Sequence, residues 1–274
     1  MKKIVLIAAA ALLGLTACVK DEMYKGPSTI EKVAFTPEAP TSITPVTVTA
    51  TVSGLQKVTK ATLSYNGTSV DMSGAGATFT GTIPAQADGT EVKFKVTVVN
   101  EAEFTTTSEE YYYKVGDPAT DWTKLKLNEV YGAGADEEKF FELYNASDFT
   151  IKLAGVTINK DEAETWKGIA GEEIPAKGFF AIVGGKGTTE RGFSSGFSAK
   201  KSVIVELFAP DGTKLDTFQR GDKDDSGAWG GKLSEVKAAS WQRMPDGTGV
   251  WKIAAPTQGV ANATEGTDDP DVKQ

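Results

Sequence analysis

Over much of the chain apolar and polar residues alternate one by one. Val46, Val48, Ala50 and Val52 share one side, with Thr47, Thr49 and Thr51 opposite. Val92, Phe94, Val96 and Val98 repeat the pattern against Lys93, Lys95 and Thr97. A period of two is the mark of a half-buried strand. Asn66-Gly67 falls between the strand-like segments 61–65 and 68–72. That pair suits a two-residue hairpin turn, which needs positive φ at both central positions. With further segments at 31–35, 77–83 and 104–114, the first part holds about seven short strands, as a sandwich of immunoglobulin or fibronectin type requires. Gly116-Asp117-Pro118 punctuates the chain there. Strand-like segments then resume at 125–130, 140–145, 179–183, 203–208 and 215–219, with a turn at Pro210-Asp211-Gly212. No stretch keeps a helical period for more than a turn or two. The pattern predicts an all-β chain of two β-sandwich domains, at 29–116 and 122–262. The polar, acidic segment 263–274 lacks apolar periodicity and is expected to be disordered.

The first residues read differently. Lys2 and Lys3 precede an uncharged apolar run from Ile4 to Leu15, which closes on Leu15-Thr16-Ala17-Cys18. A basic start, a short apolar core and small residues before a cysteine form a lipoprotein signal, residues 1–17. Cleavage would leave Cys18 as a lipidated N-terminus that anchors the chain to a membrane. The run is too short to span a bilayer, which needs about 20 apolar residues. Residues 18–28 then read as a polar tether. Its Lys20-Asp21-Glu22 resembles the lysine-then-acidic export signal of Bacteroidota surface lipoproteins. The resemblance implies an outer-membrane location facing the cell exterior.

Three counts narrow the chemistry. Histidine is absent, which removes Ser-His and Cys-His nucleophile pairs and His-ligated zinc. Cys18 is the single cysteine, so the mature chain has neither a disulfide nor a catalytic thiol. The net charge is −8, and it falls by two more when Lys2 and Lys3 leave with the signal. No basic stripe is present to neutralise phosphates, so nucleic acid is not an expected partner.

The second domain carries an ordered set of motifs. Asn128-Glu129-Val130 is followed by Phe141-Glu142-Leu143-Tyr144-Asn145 and Leu153-Ala154-Gly155. Arg243-Met244-Pro245-Asp246-Gly247 and Pro256-Thr257-Gln258-Gly259-Val260-Ala261-Asn262 close the series. The series resembles the bacterial lamin-tail domain, which implies an immunoglobulin-like sandwich and, for most members, a non-catalytic module. Asn128, Glu142, Asn145, Arg243 and Asn262 are expected to satisfy backbone groups or pair across the sandwich. The segment 81–98 is similar in style to bacterial immunoglobulin-like modules. Long inserts at 159–173, 184–197 and 221–239 depart from the lamin-tail pattern, and loop inserts are where function sits on a sandwich.

Those inserts hold the candidate site residues. Trp166 and Trp229 are candidate platforms for a sugar ring or a protein partner. Trp241 and Trp251 are read as packing residues, and Trp122, which opens the domain, as packing the joint between the two domains. Asp222, Asp224 and Ser226, followed by Gly227, have the spacing of the first half of a calcium loop, but the closing glutamate is missing: position 12 is Leu233. Acidic pairs at Asp136-Glu137-Glu138 and Asp161-Glu162 with Glu164 read as solvated loop charges rather than a glycosidase pair. No catalytic residue and no cofactor other than calcium is expected. The reading is a lipid-anchored protein that binds, adheres or scaffolds, with a glycan or an envelope protein as ligand. The alternatives are a module that docks a secreted nuclease or other hydrolase, and a purely structural envelope protein.

Overall fold

The computed structural model describes residues 25–184, 192–193, 198–236 and 239–274. The signal, Cys18 and most of the tether lie outside the described residues. The chain is all-β and divides into two compact units that meet at Asp117 and Pro118.

The described residues of the first unit form a sandwich of nine strands: β1 (Thr29–Thr36), β2 (Val46–Ser53), β3 (Val58–Tyr65), β4 (Thr68–Asp71), β5 (Ser73–Ala75), β6 (Thr78–Ile83), β7 (Glu91–Asn100), β8 (Thr105–Thr107) and β9 (Tyr111–Lys114). One sheet runs β1-β2-β6-β5; the other runs β4-β3-β7-β8, with β9 also pairing β7. The alternating faces read from the sequence meet in the core, where Val48, Ala50, Val92, Val96 and Val98 are fully buried. Asn66 and Gly67 take φ of 40° and 82° in the β3–β4 hairpin, as the turn type demands. The segment expected as one strand over 104–114 is two, because Ser108 interrupts it. Its hydroxyl accepts from the Val96 amide at 3.0 Å and donates to the Glu109 carbonyl.

The second unit holds β10 (Leu125–Tyr131), β11 (Phe140–Asn145), β12 (Ile151–Lys152), β13 (Thr157–Lys160), β14 (Ala163–Lys167), β15 (Glu173–Ile174), β16 (Phe179–Val183), β17 (Val203–Phe208), β18 (Lys214–Arg220), β19 (Ser240–Met244), β20 (Val250–Ala254) and β21 (Val272–Lys273). Its sheets run β16-β11-β10-β19-β20 and β14-β13-β17-β18-β21, with β12 and β15 paired beside them. Phe141, Leu143, Ile158, Val205, Leu207, Phe218 and Trp241 fill the space between them. Trp122 packs partly buried against this core.

Two expectations are corrected here. The insert at 159–173 is largely regular: β13 and β14 form a hairpin that extends the second sheet. The segment 263–274 is folded, not disordered. Thr267 exchanges two backbone hydrogen bonds with Ile253, at 2.7 and 3.0 Å. Lys273 and Val272 then pair with Gln219 and Arg220 of β18. One strap therefore covers one edge of each sheet, along β20 and β18. Unpaired edge groups need partners, and backbone supplies them whatever the side chains are.

The tip of the β13–β14 hairpin is strained. Asp161 and Glu162 both adopt positive φ, 52° and 71°, although neither is glycine. Asp161 is held by Lys160 at 2.6 Å and Glu162 by Lys223 at 2.7 Å. The Lys160–Asp161 pair is half-buried and the Lys223–Glu162 pair exposed, and together they offset only part of the left-handed backbone cost. Replacing the tip by Asn-Gly (Asp161→Asn with Glu162→Gly) is expected to raise stability by about 1 kcal/mol in chemical denaturation.

Candidate functional site

A polar cluster lies on the β16-β11-β10-β19-β20 sheet, and the sequence builds it through a bulge. The β10–β11 register shifts between Leu127 and Glu129, which places Glu129 directly opposite Glu142. Glu129 also faces Gln242 on β19. Both glutamates are fully buried, as are Asn128 and Gln242. Like charges opposite one another are unfavourable in a sheet, and buried charges need partners.

The partners come largely from the loop after β20. Glu129 accepts from Ser240 Oγ, from Gln242 Nε2 at 3.1 Å, and from Thr257 through its amide at 3.0 Å and hydroxyl at 2.9 Å. Glu142 Oε2 accepts from the Gly259 amide at 2.6 Å, and Oε1 from Asn128 Nδ2 at 3.4 Å. Asn128 also donates to Asp246 at 2.9 Å and accepts from the Gly247 amide. Asn262 donates to the carbonyls of Asn128 and Arg243, while its amide donates to Asp246. Burial pushes the Glu142 carboxyl up to about 7; the Gly259 bond pulls it back, and the neighbouring Glu129 and Asp246 charges raise it again.

Two further polar residues complete the frame. Arg243 lies over the Trp251 ring at 4.6 Å, donates to the Leu127 and Gly249 carbonyls, and meets Asp216 at 2.6 Å. Asn145 donates to the carbonyls of Phe149, Ile174 and Pro175. Each of the five motif residues thus joins separate segments of the unit. Sequence reasoning did not single out Glu129, Ser240, Gln242 or Thr257 for this role. Glu129 and Thr257 stood inside the motifs, but the opposition of Glu129 and Glu142 depends on the bulge.

The candidate ligand residues fare differently. Trp166 is not an exposed platform: it is 3% exposed, sits in the core and packs on Phe180 with ring centroids 5.9 Å apart. It occupies the single deeply buried position of β14, which makes it the residue that seals that edge strand. Trp166 therefore offers no open ring face. Trp229 is half-buried, and its indole nitrogen has no hydrogen-bond partner among the described residues.

The half calcium loop has other duties. Asp224 accepts from the amides of Ser226 and Ala228, at 2.9 and 3.1 Å, and from the Ser226 hydroxyl. That arrangement closes the turn on Gly227. Asp222 pairs with Lys273 at 3.0 Å and accepts from Gln219. Among the described residues no group of three His, Cys, Asp or Glu side chains is placed to hold a metal ion. In the structure Asp224 and Ser226 close the turn, and Asp222 is ion-paired with Lys273. Asp136 likewise pairs with Lys139, and Glu138 caps the amide of Ala135.

Among the described residues, two grooves lie in the first unit. A groove of about 480 Å³ runs between the start of β1 and the β8–β9 segment. Pro27, Ser28, Thr29, Ile30, Thr106, Thr107 and Ser108 line it; the Thr106 hydroxyl donates to the Ser28 carbonyl at 2.6 Å. Glu31, Glu109 and the half-buried Tyr111 complete the wall, with no lysine or arginine. Tyr111 stacks on Phe94 with centroids 5.6 Å apart. Its phenol is pushed up by burial and by a hydrogen bond with Glu109. Ser28 is 4% exposed, and its hydroxyl has no hydrogen-bond partner among the described residues. A second groove of about 390 Å³ lies beside β3, where Lys60 and Asp71 pair with each other and Phe79 is buried.

Comparison with solved structures finds distant likenesses. The fibronectin(III)-like modules of Clostridium thermocellum CbhA share 14% identity over 68% of this chain and 90% of theirs, with a TM-score of 0.27. A cycloalternan-forming enzyme of Listeria monocytogenes shares 13% over 82% of this chain and 21% of its own, with a TM-score of 0.25. The Bacteroides ovatus mixed-linkage glucan protein SGBP-B shares 11% over 81% of this chain and 66% of its own, at 0.23. No curated protein matches. Within the second unit, residues 118–222 match the family model of the Lamin Tail Domain.

Proposed function

We propose that the chain is a lipid-anchored, non-catalytic binding protein of the outer membrane, displayed on the cell exterior, and that its ligand contact lies on the first sandwich. The observation that carries this reading is the β1/β8 groove. Its volume falls inside the roughly 300–1,000 Å³ of small-molecule sites. Two carboxylates, Glu31 and Glu109, with serine and threonine residues and the Tyr111 ring in the same wall supply acceptors and an apolar face of the kind a neutral sugar uses. The absence of a cation from the wall disfavours anionic ligands. A non-catalytic role is supported by the second unit, where Glu129, Glu142 and Asp246 serve as acceptors for backbone and amide groups.

The test is a glycan array probed with the full chain, followed by titration of any hit. Glu109→Gln removes a groove charge without touching the core and is expected to weaken binding at least about tenfold, the effect of losing a charged hydrogen bond of about 1.5 kcal/mol. An array without hits on folded protein would turn the search to a protein ligand. A hit unaffected by Glu109→Gln would remove the groove from the account.

A further inference from the structure

We infer that one end of the first sandwich rests on the bilayer, with Leu55 and Phe104 seated at the headgroup–acyl boundary. The inference rests on the lipid anchor at Cys18 proposed above.

The chain enters the unit at Gly26, and that point is fixed. The buried Asn100 donates to the Gly26 carbonyl at 2.8 Å. The same side chain accepts from the amides of Ala102 and Phe104, both at 3.1 Å, and so shapes the turn that follows β7. The backbone of that turn is tied to the β2–β3 loop, because the Glu101 amide donates to the Lys57 carbonyl at 2.9 Å. Asn100 thus holds the arriving chain and two loop tips on one surface.

Each tip presents an apolar side chain to solvent. Leu55 is 72% exposed and Phe104 is 43% exposed. Exposed apolar residues grouped at one end mark a partner surface more than singly scattered ones do. The reach of the chain names the partner. The eight residues from Val19 to Gly26 span at most about 28 Å even when fully extended. Acyl chains on Cys18 therefore keep this end, and no other part of the unit so closely, against the membrane. The opposite end, where Ser42 binds Asp117, is about one strand length further away, roughly 33 Å for the ten residues of β7. Charges at the near end balance: Lys25 and Lys57 stand with Glu101 and Glu103. Contact thus depends on apolar insertion rather than on lipid charge, at the depth of about 5–10 Å usual for interfacial side chains.

The test uses the full chain, purified from membranes and reconstituted in phosphatidylethanolamine–phosphatidylglycerol vesicles. Acylated Cys18 has no free thiol, so Leu55→Cys, Phe104→Cys and Ile43→Cys each introduce a unique site for a fluorescent label. Ile43 is 54% exposed and lies at the far end, which makes it the comparison. Spin-labelled lipid should quench positions 55 and 104 at least about threefold more than position 43. Mass spectrometry of the N-terminal peptide reports acylation independently. Equal, weak quenching at all three positions with acylated Cys18 overturns the contact alone. An unmodified Cys18 overturns the anchor and the contact together.

Discussion

Removing residues 263–274 is expected to unfold the second unit or bring it close to unfolding, while the first unit stays folded. Arg220 is fully buried, and its Nε meets Asp269 at 2.6 Å. Its second amino group donates to the Ser234 carbonyl and reaches Asp271 at 3.3 Å, and Nη1 has no hydrogen-bond partner among the described residues. Asp269 also accepts from Trp241 Nε1 at 2.9 Å. Deleting the strap strands this guanidinium, and an uncompensated buried charge costs about 3–5 kcal/mol. Loss of the buried Val272 adds about 1.5–3 kcal/mol. Domains are stable by only about 5–15 kcal/mol, so the sum decides the outcome. All five tryptophans lie in the second unit, so their fluorescence reports its unfolding without contribution from the first. Asp269→Asn should show the charge effect alone. Arg220→Met with Asp269→Leu should recover much of the loss, because the stranded charge leaves with its partner.

The stability of the same unit should fall as pH rises from about 5 to 8 and then level off. Glu142 ordinarily titrates near 4.5 and is pushed up to about 7 in the folded chain. Below 4.5 both states hold its proton, and the linkage is silent. Between these values the unfolded chain releases the proton and the folded chain retains it, so stability is lost with rising pH. Above about 7 both states are ionised. The full effect is on the order of 3 kcal/mol. Asp269 acts in the opposite sense. Burial pushes its carboxyl up, but bonds from Arg220, Trp241 and the Asp271 amide outweigh this and hold it below 3.8. Its stabilisation is present above the ordinary carboxylate range and is lost in acid. The second unit should therefore be most stable on the acid side of neutrality. Denaturant midpoints followed by tryptophan fluorescence at pH 5 and 8 test this. Glu142→Gln keeps an acceptor for the Gly259 amide and should flatten the profile across that window.

Both expectations concern features that the sequence shows unequally. The alternation at Val46–Val52 and Val92–Val98 exposes the first sandwich directly, because each strand there has one wet side and one dry one. The Asn66-Gly67 turn is equally plain. The lamin-tail motifs located Glu142, Asn145 and Asn262, and their role as connectors follows from their residue types. Trp166 was misplaced because its strand buries only that one residue deeply, which leaves no alternation to read. The Asp161-Glu162 tip hid the hairpin further, since neither residue favours positive φ. The strap was read as disordered because its worth lies in partners far away: Asp269 answers Arg220, and Thr267 answers the backbone of Ile253. The groove was missed for a related reason. Its wall combines the start of β1 with the β8–β9 segment, some 75 residues later, and serine and threonine residues spaced along two strands form no motif.

The central claim is a division of labour: the first sandwich carries the ligand groove, and the buried carboxylates of the second hold its closing loop. The most direct test is one binding titration, at pH 5 and pH 8, on the full chain and on Glu109→Gln and Glu142→Gln, with unfolding followed in parallel. The account predicts that Glu109→Gln loses binding with unchanged unfolding. Glu142→Gln should keep binding and lose the pH dependence of stability. Binding that survives Glu109→Gln but is abolished by Glu142→Gln in a folded protein would contradict it and move the site to the second unit.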